Sequence, residues 1–189
     1  ALLLSLPATA GLIAIPHLIV AVLFERGAFT AADTAATAGA LLAYAAGLPA
    51  YILVKALQPG FFAREDTKTP VLIAGASMVV NAGLTPLLMW PLGHVGIALA
   101  TAIAAWCSVA GHWWLLRRRG DLVVDAGLAR RGPRIVAAST AAAVVMLGGA
   151  YALDGWIASG DAARLLALVG LAAFGCAVFA VIVHFTGAA

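Results

Sequence analysis

The sequence predicts an all-α integral membrane protein with six transmembrane helices, from composition, from the length of its apolar stretches and from their lack of alternation. Hydrophobic residues make up 64% of the 189 residues and charged residues 10%, whereas a soluble domain is about half apolar and a quarter charged. A helix needs about 20 apolar residues to cross the hydrocarbon core. Six stretches reach that length: 2–24, 34–63, 70–92, 95–116, 135–153 and 165–185. They are continuously apolar, which excludes a membrane β-barrel, and the composition excludes soluble, disordered and nucleic-acid-binding proteins.

Two short motifs mark where helices begin. Thr30 followed by Asp33 is typical of a capping box, which predicts that the second helix begins at this point. Thr69 before Pro70 indicates a hydroxyl cap followed by proline at the first helical position, and so predicts the beginning of the third helix.

Prolines and small residues predict the shape and packing of the helices. Pro49 and Pro59 fall inside the second stretch, so we expect a kink or break there. Small residues recur every four positions in two helices, which favours close packing inside a bundle. They are Gly39, Ala43 and Gly47 in the second stretch, and Ala100, Ala104 and Ser108 in the fourth.

The distribution of Lys and Arg predicts the orientation of the chain. The second and fourth connections, with the helix ends beside them, hold nine basic residues, and the other connections hold only Arg26 and Arg164. The nine are Lys55, Arg64, Lys68, Arg117, Arg118, Arg119, Arg130, Arg131 and Arg134. Because cytoplasmic loops carry the excess of positive charge, we expect these connections and both termini to face the cytoplasm. Residues 117–134 are then a basic cytoplasmic loop, which could also bind anionic membrane lipids.

The beginning of the sequence predicts that the chain is part of something longer. It begins at Ala1 without a methionine and almost directly inside an apolar stretch. We therefore expect an N-terminal part that precedes this segment in the same polypeptide.

Lys55 is a candidate functional residue because a charged side chain at membrane depth is costly. It could line a water-filled cavity and attract an anionic headgroup. Its long side chain could equally extend to the cytoplasmic surface, which is the common behaviour of lysine near a helix end. The sequence leaves both interpretations open.

Asn81, Thr85 and Thr101 form a second candidate site within the membrane. Facing one another across antiparallel helices, their oxygens could bind a small monovalent cation, with a backbone carbonyl from Ile97. The alternative is a plain hydrogen bond between helices, which such residues make routinely for about 1 kcal/mol. No cofactor and no metal site are predicted beyond this cation.

The sequence predicts no enzyme. Ser108 and His112 share a helix face, but no acid accompanies His112 within the membrane and the sequence has no Gly-x-Ser-x-Gly motif. Cys107 and Cys176 lie in apolar stretches without metal-ligand spacing.

Several motifs, taken in order, resemble the MurJ (MviN) family. Residues 23–30 read Leu-Phe-Glu-Arg-Gly-Ala-Phe-Thr, and residues 58–70 read Gln-Pro-Gly-Phe-Phe-Ala-Arg-Glu-Asp-Thr-Lys-Thr-Pro. Residues 47–49 read Gly-Leu-Pro, and residues 96–101 read Gly-Ile-Ala-Leu-Ala-Thr. Specific motifs cover residues 1–120, and the rest is similar only in pattern.

The resemblance implies a transporter of lipid II, a polyprenyl-pyrophosphate lipid that carries a peptidoglycan precursor. Family members are two-lobed flippases of the multidrug/oligosaccharidyl-lipid/polysaccharide exporter superfamily, located in the bacterial inner membrane. They have about fourteen helices and work by alternating access. The six stretches would be helices nine to fourteen. Residues 1–116 would supply four helices of the second lobe, and residues 135–189 a two-helix extension whose groove suits the lipid tail.

The resemblance also implies roles for individual residues. Arg26 in the outer loop would be a gate residue on the substrate path, with Lys55 and Arg64 as further candidates. The alternative for Arg26 is a solvated ion pair with Glu25 beside a tight turn. Asn81 and Thr101 match the family's cation site. Thr85 stands where that site has an acid, which weakens the case for cation coupling, and the headgroup-binding arginines of the family lie outside this segment.

Two other functions remain open at this level. The chain could belong to another exporter of the superfamily that moves a different lipid-linked sugar or a drug. It could also be a non-transporting membrane scaffold subunit, which would have no need for Lys55.

Overall fold

The structure is a computed structural model that describes residues 2–121 and 126–187. In these ranges the chain forms nine α-helices. They are α1 (Leu2–Ala14), α2 (Pro16–Phe24), α3 (Ala31–Leu57), α4 (Pro59–Phe62), α5 (Lys68–Leu92), α6 (His94–Arg119), α7 (Ala126–Ala152), α8 (Asp154–Ile157) and α9 (Asp161–Thr186).

The helices confirm the predicted fold class. Within the described part of the chain, five spans are long and apolar enough to cross a membrane, and a sixth is obtained if the bent pair α1 and α2 is counted as one span. Each of these six contains most of one predicted stretch. The pattern of continuous apolar residues was therefore sufficient to find every span.

The first span is broken, which the sequence analysis did not predict. Helices α1 and α2 meet at an angle of 79°, and Ile15 between them has φ −131° and ψ 46°. Pro16 is the first residue of α2. Proline has no N–H, and its ring crowds the carbonyl of the preceding turn, which favours a break at this residue. As the first residue of α2, Pro16 needs no hydrogen bond within the helix.

Helix α3 begins as predicted but breaks at only one of its two prolines. The backbone N–H of Thr30 donates to the carboxylate of Asp33 at 2.9 Å, and the N–H of Asp33 faces the hydroxyl of Thr30 at 3.4 Å. This reciprocal pair confirms the capping box. The helix then continues through Pro49 and ends at Leu57, directly before the short helix that begins with Pro59. The predicted break therefore occurs at Pro59 and not at Pro49.

The predicted cap of α5 is wrong. The helix begins at Lys68, and it is Asp66 that accepts hydrogen bonds from the backbone N–H of Thr69 at 2.9 Å and from its hydroxyl at 2.6 Å. Thr69 is thus a donor inside the first turn, and Pro70 is the third helical residue and not the first. A carboxylate satisfies the free N–H groups of a helix beginning better than a hydroxyl does, because it is charged.

Most of the basic segment 117–134, which was predicted to be a loop, is helical in the structure. Arg117, Arg118 and Arg119 form the last turn of α6, where cations interact favourably with the helix dipole. The remaining arginines of the segment lie on the first turns of α7. Residues 122–125 lie outside the described residues.

The chain divides into two compact units. The first comprises residues 1–5 and 43–125, and the second comprises residues 6–42 and 126–189. One boundary falls inside α1 and another inside α3. The predicted division into residues 1–116, 117–134 and 135–189 is based on function and not on compactness, and it stays a prediction.

In the first unit, small residues bring the helices close together. A Cβ at Gly47 on α3 would lie 3.0 Å from the Cα of Ala102 on α6, and the indole N–H of Trp106 donates to the carbonyl of Ala46 at 3.0 Å. Helices α5 and α6 form a hairpin that turns at Gly93, which has φ +57°. The predicted packing role of Gly47 is therefore confirmed.

In the second unit, α7 packs against α9 and the broken first span completes the core. The buried core residues are Ala14, Ile15, Leu18, Val22, Met146, Ala167 and Leu171. A Cβ at Gly149 would lie 2.5 Å from the Leu171 side chain, and one at Gly175 would lie 2.5 Å from the Met146 sulfur. Glycines on one helix thus accommodate large side chains of the other.

Candidate functional site

The first unit contains a partly polar cavity of about 390 Å³ between apolar helices. Side chains from α3, α5 and α6, and from Gln58 after α3, line it. They are Tyr51, Val54, Lys55, Gln58, Ala74, Ser77, Met78, Asn81, Thr101, Ala104, Ala105 and Ser108. In a chain of this composition, a cavity with so many polar groups at membrane depth is a candidate functional site.

Three of the predicted site residues lie around this one cavity. Lys55 and Asn81 come from different predicted sites, and the structure places both with Thr101 in the same lining. Lys55 is exposed on the last turn of α3, which agrees with both of its predicted roles. The charge therefore lies beside the polar groups of α5 and α6.

The hydrogen bonds of the predicted cation site run within single helices. The Thr85 hydroxyl donates to the side-chain oxygen of Asn81 at 3.1 Å, and the Thr101 hydroxyl donates to the carbonyl of Ile97 at 2.9 Å. The bond from α5 to α6 is made instead by Ser77, whose hydroxyl donates to the carbonyl of Ala104 at 2.7 Å. The alternative of a hydrogen bond between helices through Asn81, Thr85 and Thr101 is therefore wrong for the described bonds, which stay within α5 and within α6.

The charge of the cavity favours an anionic or neutral ligand over a cation. Lys55 is the charged side chain in the described lining, and none of the lining residues is acidic. Amide and hydroxyl oxygens alone are weak ligands for a monovalent cation, and a nearby ammonium group repels one. Lys55 and the surrounding hydroxyl groups can instead donate hydrogen bonds to a polar headgroup.

Arg64 lies away from this cavity, in a cluster of charges at the end of the first unit. It forms an ion pair with Asp121, and Arg119 forms another with Asp66 at 2.7 Å. The hydroxyl and backbone N–H of Thr69, and then Arg119, hold the pKa of Asp66 well below its usual range. Arg64 is thus engaged in an ion pair that joins the loop between α4 and α5 to the end of α6 in this conformation.

Arg26 is not paired with Glu25. Its guanidinium donates to the carbonyl of Val22 at 3.1 Å, in the last turn of α2. Glu25 is bound instead by Arg164 at 3.1 Å and by the hydroxyl of Thr34 at 2.8 Å. The alternative of a Glu25–Arg26 ion pair is therefore wrong, although the turn at Gly27 is present with φ +62°.

Sequence reasoning missed three polar residues of the cavity, which are Tyr51, Gln58 and Ser77. Ser77 lies one helical turn before Asn81, and Gln58 directly precedes the proline where the helix breaks. The spacing of Ser77 from Asn81 and the position of Gln58 before Pro59 could both have been read from the sequence. No feature of the sequence indicates a site at Tyr51, because a tyrosine in an apolar helix is common at the membrane interface.

Ser108 and His112 do not form a nucleophile and base pair. The Nδ1 atom of His112 lies 2.8 Å from the backbone carbonyl of Ser108, not from its hydroxyl. The ring of His112 packs edge-on against Phe61 at 5.5 Å between centroids. Its Nε2 atom is buried without a hydrogen-bond partner.

The model of one protein family, described as lipid II flippase MurJ, matches residues 1–160. Two relatives match almost the whole chain. They are the probable lipid II flippases MurJ of Rhizobium meliloti, 39% identical over 94% of this chain, and of Vibrio cholerae, 37% identical over 97%. The corresponding protein of Rickettsia prowazekii is 46% identical over 67% of this chain.

A solved structure of lipid II flippase MurJ in an inward closed conformation has a similar fold. Its TM-score is 0.72 with 25% sequence identity, and the match covers 96% of this chain and 35% of that protein. The chain spans 25% to 35% of the length of the three relatives named above.

Proposed function

The chain belongs to the MurJ family of lipid II flippases, and on that premise we propose that it is the C-terminal part of a transporter that moves lipid II. This family is one of transporters, and its members are multi-pass proteins of the inner membrane. We assign the chain itself no catalytic step. The headgroup would cross by alternating access of two lobes, with residues 1–116 in the second lobe.

The orientation of the segment is part of the proposal. Nine of the eleven Lys and Arg residues lie at the ends and connections that we assign to the cytoplasm. The charge cluster of Arg64, Asp66, Arg119 and Asp121 is then at the cytoplasmic end. Arg26 and Arg164 are at the outer end, where Arg26 would face the outer mouth of the substrate path.

The observation that carries the proposal is the polar cavity around Lys55. A lipid II headgroup contains a pyrophosphate and sugars, so it needs a cation and hydrogen-bond donors along its path. Lys55 supplies the positive charge, and Gln58 and Asn81 supply amide groups within the same lining. An ammonium is a strong point-charge partner for phosphate.

The C-terminal helix pair supports the second part of the proposal, which is a surface for the polyprenyl tail. Helices α7 and α9 expose large apolar side chains along their lengths, among them Val144, Leu166, Val169 and Phe174. A polyprenyl chain has no polar groups to recognise, so such a surface suits it. Coupling to a monovalent cation through Asn81, Thr85 and Thr101 is the weaker part, because the described lining contains no carboxylate.

The test replaces Lys55 in the full-length protein and measures peptidoglycan synthesis in bacteria depleted of their own lipid II flippase. We expect Lys55→Ala to abolish growth at normal protein levels and Lys55→Arg to retain it, because arginine keeps the charge. Lys68→Ala is the matched control, since Lys68 is an exposed lysine at the beginning of α5 outside the cavity. A scaffold subunit would tolerate all three changes.

A transport assay separates lipid II from other cargo. Purified full-length protein in vesicles would be given fluorescent lipid II or another polyprenyl-linked sugar. Faster movement of lipid II that depends on Lys55 supports the proposal. Equal movement of both lipids would indicate a less selective exporter of the same superfamily.

A further inference from the structure

A network of polar contacts at the end of the second unit joins the consecutive helices α2 and α3 to α9, which is distant in sequence. The carboxylate of Glu25, the residue after α2, accepts from Arg164 on the first turn of α9 at 3.1 Å. Its other oxygen accepts from the hydroxyl of Thr34 on the first turn of α3 at 2.8 Å. Glu25 and Arg164 are 139 residues apart in the chain.

Partial burial and a second hydrogen bond distinguish this contact from a fully solvated ion pair. The side chain of Glu25 is 22% exposed, that of Arg164 is 28% exposed, and Thr34 is buried. The hydroxyl of Thr34 and, to a smaller extent, Arg164 hold the pKa of Glu25 below its usual value, against the opposing effect of burial. Glu25 is therefore a carboxylate at neutral pH, bound by two groups at once.

The network lies at the edge of a cavity of about 490 Å³ beside the helix break. The wall on one side is formed by residues at and after the break, including Ile15, Pro16 and Leu18. Further lining residues come from the end of α7 and from α8, together with Glu25 and Arg164. After the break at Ile15, α2 is a separate nine-residue helix, so its position depends on contacts beyond the backbone.

We propose that Arg164 is a positioning residue that, through Glu25, clamps α2 to the C-terminal helix pair and keeps it there throughout transport. The apolar contact of α2 with α9 is short, because α2 has only nine residues. The ion pair and the Thr34 hydrogen bond fix the free end of this segment. The C-terminal pair and the outer half of the first span then move as one body.

The effect of the clamp on transport rests on the proposed function, whereas the contact between α2 and α9 can be tested without transport. Arg164 does not contact substrate in this assignment. It acts by holding α2 against α9, so that the walls of the cavity at the break stay together when the lobes change conformation.

The first experiment is a charge exchange in the full-length protein. We expect Glu25→Arg and Arg164→Glu each to reduce lipid II transport at least tenfold, and the double exchange to restore at least half of it. Arg164→Lys should also retain most of the activity. Asp161→Asn is the matched control. Asp161 lies 3.9 Å from the same arginine, but its side chain is 84% exposed, so its contribution is small. A double exchange as defective as the single variants, with all proteins at normal levels, overturns the clamp.

The second experiment asks whether the clamp stays closed. Glu25→Cys and Arg164→Cys would be combined in a full-length protein without other cysteines, which requires replacing Cys107 and Cys176. A short bifunctional thiol reagent should link the two positions in high yield, and transport by the linked protein should continue. Low linking yield, or transport that stops on linking and returns on cleavage of the linker, contradicts the proposal. If the wild-type protein moved no lipid II, the proposed function would fail, while the linking yield would still test the clamp.

Discussion

The two compact units pack their long helices in different ways. In the first unit, the approach of α5 and α6 is limited by the backbone, because a Cβ at Gly96 would lie 2.1 Å from the carbonyl oxygen of Leu88. In the second unit, the approach of α7 and α9 is limited by side chains. The nearest atoms to added Cβ groups at Gly149 and Gly175 belong to Leu171 and Met146.

This difference accompanies a difference in where polar groups lie. The first unit carries Ser77, Asn81 and Thr101 along its helices and a cavity between them. The second unit has its charged contacts at its ends, with Glu25 and Arg164 at one and Arg134 bonded to the carbonyl of Thr186 at the other. Close backbone contact joins two of the helices that line the polar cavity of the first unit. In the second unit, α7 and α9 pack through side chains and leave large apolar side chains exposed, which suits contact with lipid, and the cavity of that unit lies beside the helix break.

The largest effect is expected for Gly96→Ala. The added methyl group would collide with the carbonyl of Leu88, and a backbone atom cannot move aside without opening the hairpin. We expect a loss of more than about 3 kcal/mol, at the upper end of the cost of overpacking. Thermal unfolding in detergent measures it, with Gly83→Ala as the control because a Cβ there meets nothing within 4 Å. Equal stability of the two variants would contradict backbone-limited packing.

A smaller effect is expected for Gly175→Ala in the second unit. The added Cβ would lie 2.5 Å from the sulfur of Met146, but methionine is flexible and can adopt another rotamer. The better helix propensity of alanine also offsets part of the cost. The free energy of unfolding of the variant should stay within about 1 kcal/mol of that of wild type. Gly170→Ala is the control, because a Cβ there meets nothing within 4 Å. A loss as large as that of Gly96→Ala would remove the distinction between the units.

The sequence predicted the fold well because each apolar stretch carries its own signal. Length and continuity located six spans, and the local motif of Thr30 and Asp33 located one helix beginning. The resemblance read from the loop motifs is confirmed by the family match over residues 1–160. Pro16 and Pro59 both lie within long apolar stretches and both begin a new helix. The same rule predicted a break at Pro49, through which α3 continues, so proline alone does not locate the breaks.

The site was only partly accessible from sequence because its contacts are distant along the chain. Lys55, Asn81 and Thr101 were each found from their cost at membrane depth, but their common cavity needs three helices in register. The partner of Glu25 could not be predicted for the same reason. Arg26 is adjacent in sequence, yet the carboxylate is bound by Arg164.

The smallest effect is expected for Thr69→Val at the charged end of the first unit. The hydroxyl of Thr69 is the main cause of the lowered pKa of Asp66, so its removal should raise that pKa towards the usual value. A carboxyl group whose pKa is lower in the folded state stabilises the fold at every pH above its pKa in the unfolded state, which is about 4. This stabilisation is lost as the pH falls through the pKa of the folded state.

Wild type should therefore be slightly more stable than Thr69→Val at pH 7, and the difference should shrink as the pH falls from about 4. Thermal unfolding in detergent across this range measures it. Thr67→Val is the control, because Thr67 is the N-cap residue of α5 and its side chain makes no capping hydrogen bond. Part of the difference in stability between wild type and Thr69→Val should persist at high salt, because the hydrogen bonds of Thr69 are local. Salt screens the ion pair between Arg119 and Asp66 instead. A difference that stays constant with pH would mean that the hydroxyl stabilises the helix beginning without acting on Asp66.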